Sequence, residues 1–153
     1  MFPVGIRLNS VSEIASCAVL LPWGEARPMD LSTTGRPTIL HVCTRETIRP
    51  LRDQVLRLSG FEVDSALSHR EAISMFWGHQ YDLVLIDVEG ENGINDAERM
   101  CSEIKTAQPE QVVAFVCNWR VANMTDCPDE IVRTEFDPAA FAQGVSSIVL
   151  RAV

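Results

Sequence analysis

From Pro37 onward the apolar positions switch repeatedly between a strand-like run and a helical stripe. Thr38 to Cys43 is a short apolar run that predicts a strand, and Ile48, Leu51, Val55 and Leu58 then fall on one face of a helix that Gly60 stops. Phe61 to Ser65 predicts a second strand. Ser68 and Glu71 form a capping-box pattern ahead of Ala72, Ile73, Phe76 and Trp77, a second amphipathic helix with Gly78 at its exit. Asp82-Leu83-Val84-Leu85-Ile86-Asp87 is apolar throughout its middle, as a central parallel strand covered on both faces should be. Asn95 and Glu98 are expected to cap a third helix carrying Ala97, Met100, Cys101, Ile104 and Ala107, ending before Pro109. Val112 to Cys117 predicts a fourth strand and Ile131-Val132 a short fifth. Asp137 as N-cap with Pro138 at the first helical position opens a last helix bearing Phe141, Val145, Ile148 and Val149. Strands alternating with helices at this spacing imply right-handed crossovers and an α/β, doubly wound, five-stranded parallel sheet. Such sheets bind ligands at the carboxyl ends of their strands. Here that edge holds Cys43-Thr44, Asp87-Val88-Glu89, Val116-Cys117 and the stretch around Arg133-Thr134.

The first 36 residues differ. They carry three acids against three arginines, with Pro3, Pro22 and Pro28, while the whole chain of 153 residues has net charge −8. The division expected is an N-terminal extension over 1–36, poorly ordered or in part an over-extended start with the natural one at Met29, and a domain over 37–153. A chain of this length buries roughly 70% of the surface its unfolded form exposes, so it needs no disulfide or metal staple. The acidic balance argues against nucleic acid and anionic membrane as partners, since neither attracts it. No apolar run reaches the roughly 18 residues of a membrane span. Five cysteines, at 17, 43, 101, 117 and 127, are odd in number and show no C-x-x-C pair, which fits a cytoplasmic, reducing location. Among thirteen basic residues only Lys105 is a lysine.

Leu58-Ser59-Gly60-Phe61-Glu62-Val63, Tyr81 through Val88, and Phe136-Asp137-Pro138 resemble the receiver domains of bacterial two-component response regulators over about residues 37–152. The resemblance implies a flavodoxin-like fold in which Asp87, ending the third strand, stands at the phosphoacceptor position. It also implies a pair of acids after the first strand that hold Mg²⁺ by hard oxygen donors. Cys43 and Thr44 occupy those positions and supply no carboxylate, and a thiol is too soft for Mg²⁺. The metal would keep only Asp87, a backbone carbonyl near Glu89 and water, unless Glu46 or Glu89 reaches in. No cofactor is therefore expected. The family's hydroxyl residue on the fourth strand aligns with Val116, and its lysine with Thr134, or with Arg133 if the register slips by one. The connection from Val116 to Thr134 is also short, so a shortened fourth helix is expected there.

These departures imply a degenerate, stand-alone receiver: a non-enzymatic signalling module that binds a histidine kinase or another regulator with weak or no phosphorylation at Asp87. A second resemblance competes. Ile39 to Thr44 followed by Arg49 looks like the C-x5-R nucleophile loop of low-molecular-weight tyrosine phosphatases, which would make Cys43 a thiolate and Arg49 the phosphate clamp. Against it, Arg45-Glu46 replaces the Gly-Asn that lets backbone N–H groups surround the anion. His41, His69 and His79 are too scattered to suggest a metal site. Trp119 after the fourth strand is a candidate partner anchor or a packing residue.

Overall fold

The computed structural model describes residues 35–88, 93–118, 125–133 and 137–152. The expectations for the N-terminal extension, the Met29 start, Glu89, Trp119 and Thr134 lie outside the described residues. Five strands, β1 (Thr38–Val42), β2 (Glu62–Ala66), β3 (Leu83–Asp87), β4 (Val113–Cys117) and β5 (Glu130–Arg133), form one parallel sheet in the order β2-β1-β3-β4-β5. Four helices are described: α1 (Arg49–Leu58), α2 (His69–Gly78), α3 (Ile94–Ala107) and α4 (Pro138–Ala152). The strand order reverses at β1, so the carboxyl ends of β1 and β3 border the crevice where such sheets place their sites.

One apolar layer lies on each face of the sheet. Leu40, Val84 and Phe115 pack with Phe76 of α2 and Met100 and Ile104 of α3, while Ile39, Leu85 and Val116 pack with Leu56 of α1 and Phe141, Val145 and Ile148 of α4. The middle of β3 and all of β4 are buried, which is why their sequences show no alternation. Ser68 accepts from the Glu71 N–H at 3.2 Å, and Glu71 accepts in turn from the Leu67 N–H at 2.7 Å, completing the start of α2. Asp137 accepts from the Ala139 N–H at 2.9 Å at the start of α4. Gly60 ends α1 with φ of +99°, a conformation that costs a side chain and costs glycine little. At Gly144 a Cβ would come within 3.2 Å of a Val132 methyl, so glycine is what lets α4 lie close on β5.

Three details depart from the sequence pattern. On α1 the buried residues are Asp53 and Leu56, whereas Leu51 and Leu58 are 64% and 80% exposed. Trp77, expected on the buried face of α2, is exposed and stands edge-on to Phe76. The helix α3 begins at Ile94 after Gly93 with no side-chain cap, because Asn95 already lies inside its first turn. Between β4 and β5 no helix occurs among the described residues.

Candidate functional site

Parallel pairing brings the site together. His41 lies opposite Leu85 and Val42 opposite Ile86, so the chain leaving β1 puts Cys43 level with Asp87 at the end of β3. On the other side Asp87 lies opposite Val116. The ladders continue past the strands through Cys43 N–H to Ala66 O at 3.1 Å and Val88 N–H to Val116 O at 2.9 Å, which keeps this edge rigid.

The Asp87 carboxylate is 2% exposed and fully engaged. The Cys43 thiol donates to Oδ2 at 3.2 Å, and Arg45 Nη2 donates to Oδ1 at 3.1 Å and to Oδ2 at 3.3 Å. Arg52 Nη1, arriving from the second turn of α1, donates to Oδ2 as well. The same guanidinium lies 5.5 Å from the centre of the Phe141 ring, so α4 holds it from behind. One buried negative charge thus faces two positive ones. Opposite charges in a water-poor site attract far more strongly than in bulk water, and each charge-assisted bond is worth about twice a neutral one. Arg45 and Arg52 were not singled out by the sequence motifs. Arg45 comes from the loop after β1 and Arg52 from α1, so no single local pattern in the sequence marks them as a pair.

Cys43 is fully buried. Burial first, then the charge and hydrogen bond of Asp87, push its thiol up to about 11 from the ordinary value of 9.0. At neutral pH it is a hydrogen-bond donor. A tyrosine-phosphatase nucleophile needs the opposite shift, and the arginine beside Cys43 is Arg45, whereas Arg49 opens α1 with its Nη1 buried and without a partner among the described residues. The carboxylate next to the sulfur repels a thiolate and so opposes that chemistry at Cys43.

The remaining predicted residues are placed as follows. Thr44 is exposed and Glu46 is exposed, so neither brings an acid to Asp87. Val116 is buried and offers no hydroxyl to the edge. Arg133 is exposed, opposite Cys117. Two cavities flank Asp87. One of about 410 Å³ is lined by Arg45, Leu51, Arg52, Val116 and Phe141, and the other of about 390 Å³ by Thr44, Ser68, His69, Asp96 and Met100. Asp96 itself is 70% exposed and paired with Arg99.

These groups do not fit Mg²⁺. The ion needs several hard oxygen donors, and here Asp87 is the one carboxylate at the carboxyl ends of the strands among the described residues, with two guanidinium groups already on it. A softer donor set does come together, since a His41 ring nitrogen, Cys43 Sγ and an Asp87 oxygen lie within 4.8 Å of one another. The arginines oppose a second cation there too. His41 is fully buried and its Nδ1 bonds Asp53 Oδ1 at 2.6 Å, while the other Asp53 oxygen accepts from Ser65.

No protein-family model and no curated protein matches this sequence. Solved structures do. The response regulator TrrA of Thermotoga maritima, in complex with Mg²⁺-BeF, is 25% identical with a TM-score of 0.63, covering 73% of this chain and 98% of that one. The same regulator bound to the histidine kinase ThkA matches with 25% identity, a TM-score of 0.60 and coverage of 73% and 97%. The chemotaxis regulator CheY4 of Vibrio cholerae is 14% identical with a TM-score of 0.64, covering 74% and 98%. The chain therefore has the fold of a response-regulator receiver domain, flavodoxin-like and five-stranded. No helix of the described residues is long and apolar enough to cross a membrane.

Proposed function

We propose that residues 37–153 are a receiver-type signalling module that acts by protein contact and does not use phosphoryl transfer to Asp87. The observation that carries this reading is the set of partners on Asp87. Receiver chemistry needs its acceptor carboxylate free to attack phosphorus while a metal and an ammonium take up the charge of the transferring group. Here Arg45, Arg52 and Cys43 take up the carboxylate itself. An occupied nucleophile must first lose two charge-assisted bonds, and among the described residues no second acid stands beside it at the strand edge. The hydroxyl that would read out a phosphoryl group is replaced by Val116. The partner in this reading is a histidine kinase or another regulator in the cytoplasm, as the kinase-bound neighbour suggests by analogy of fold. Nucleic acid and membrane are not partners, because net charge −8 disfavours both.

The test is whether a kinase binds without Asp87. Affinities of the wild type and of Asp87→Asn for a panel of purified histidine kinases are compared by titration. At least one kinase binds, and its two affinities agree within about twofold, that is within about 0.4 kcal/mol. Binding that vanishes in Asp87→Asn, or that requires a phosphodonor, overturns the reading.

A further inference from the structure

Away from Asp87, the last three turns of α3 present Glu98, Cys101, Ser102 and Lys105 at i, i+3, i+4 and i+7, one continuous face. The segment that leads into β5 lies on that face. Cys127 Sγ sits 3.9 Å from the Glu98 carbonyl oxygen and 3.8 Å from Ser102 Oγ, the residues that flank Cys101 on the helix surface. Cys127 thus lies against the helix beside Cys101, and neither cysteine is in a disulfide. Cys101 is fully buried in the core, while Cys127 packs against that core and is half-buried.

The placement is held from both sides. The lone lysine, Lys105, bonds Asp129 at 2.5 Å and the Gln111 carbonyl at 2.7 Å, and Asp129 also accepts from the Val113 N–H at 2.8 Å. The Cys127 N–H donates to Thr125 Oγ1 at 3.3 Å. Two cysteines distant in sequence are thus held side by side by an ion pair and backbone bonds next to them.

We propose that Cys101 and Cys127 are a dithiol site that closes to a disulfide on reaction with a hydroperoxide. Cys127 is the thiol the oxidant reaches. Having lost its proton, its sulfur attacks the peroxide O–O bond, giving a Cys127 sulfenic acid and an alkoxide or hydroxide that takes up that proton and leaves as alcohol or water. Cys101 sulfur then attacks the sulfenic sulfur, the S–S bond forms, the S–O bond breaks, and the hydroxyl leaves as water with the Cys101 proton. Two thiols lose two electrons and one hydroperoxide takes them up. Cys101 is fully buried, out of the oxidant's reach, whereas Cys127 is half-buried, which assigns Cys101 the resolving role. Among the described residues the other buried thiols lack such a pairing: Cys43 donates to Asp87, and Cys117 lies in β4 opposite Arg133. Closing the bond ties the β4–β5 connection to α3. This proposal stands independently of the reading of Asp87.

The full-length protein is treated with equimolar hydrogen peroxide, denatured in excess maleimide and weighed intact, with peptide mapping. The expected product carries two fewer maleimides than the reduced chain, contains a Cys101–Cys127 linked peptide, and reverts with dithiothreitol. In Cys101→Ser the reaction stops at Cys127, which a sulfenic-acid trap labels. A chain that keeps all its thiols, links different cysteines, or accumulates Cys127 sulfinic acid with Cys101 free overturns the proposal.

Discussion

The carboxylate of Asp87 and the imidazole of His41 show how single residues settle what this edge can do. Arg52 supplies a charge-assisted bond to Asp87 and stacks over Phe141, so Arg52→Ala leaves a buried carboxylate with Arg45 and Cys43 alone. The expected loss is about 1.5–3 kcal/mol in urea unfolding, and Arg52→Lys restores less than half of it, because a point-charge ammonium lacks the planar fork and stacks poorly. Asp53 titrates in the opposite sense to Cys43. Burial pushes its carboxyl up, but hydrogen bonds from His41 and Ser65 and the nearby positive charge outweigh this and hold it below the ordinary value of 3.8. A carboxyl lowered on folding stabilises the folded state fully above its unfolded value of about 3.9, and that contribution is lost as pH falls through the folded value. Wild type should lose stability steeply below about pH 4, whereas Asp53→Asn should start less stable at neutral pH and lose less on acidification. Equal slopes for the two proteins would contradict the assignment. Neither the arginine clamp nor this buried pair was legible from local pattern, since their partners lie 35 and 42 residues apart in the first case and 12 in the second.

At the scale of elements, the strands and helix caps were legible because they rest on neighbouring residues. The Ser68–Glu71 box, the Asp137 cap and the Gly60 stop all appear where local chemistry puts them. The face of α1 was not. Apolar spacing suggested Ile48, Leu51, Val55 and Leu58, but the helix turns Asp53 and Leu56 fully inward, because Asp53 finds His41 and Ser65 on the sheet and is solvated by them. Leu58 is 80% exposed and Leu56 fully buried, which separates the two orientations sharply. Leu56→Ala should cost about 2–5 kcal/mol in chemical denaturation, and Leu58→Ala should stay within about 0.5 kcal/mol of wild type. Comparable losses at both positions would restore the apolar-stripe orientation.

Over the whole molecule, alternation of buried strands with amphipathic helices is enough to set the class of fold, and the parallel sheet then gathers the ends of β1, β3 and β4 around one acid. Absences at that edge were readable in the sequence: Cys43 and Thr44 stand where the receiver resemblance implies acids, and Val116 where it implies a hydroxyl. What fills the space was not, because it depends on Arg45 and Arg52 reaching back across the crevice. The single lysine also acquires a place, bridging α3 to Asp129 and Gln111 beside the Cys101–Cys127 pair. The central claim is that this receiver fold has its acidic edge closed by its own side chains. Its most direct measurement is intact mass after incubation with a small phosphodonor and Mg²⁺, with Asp87→Asn as control. No Asp87-dependent gain is expected; a wild-type mass higher by one phosphoryl group, absent in Asp87→Asn, would show instead that the carboxylate is free to react.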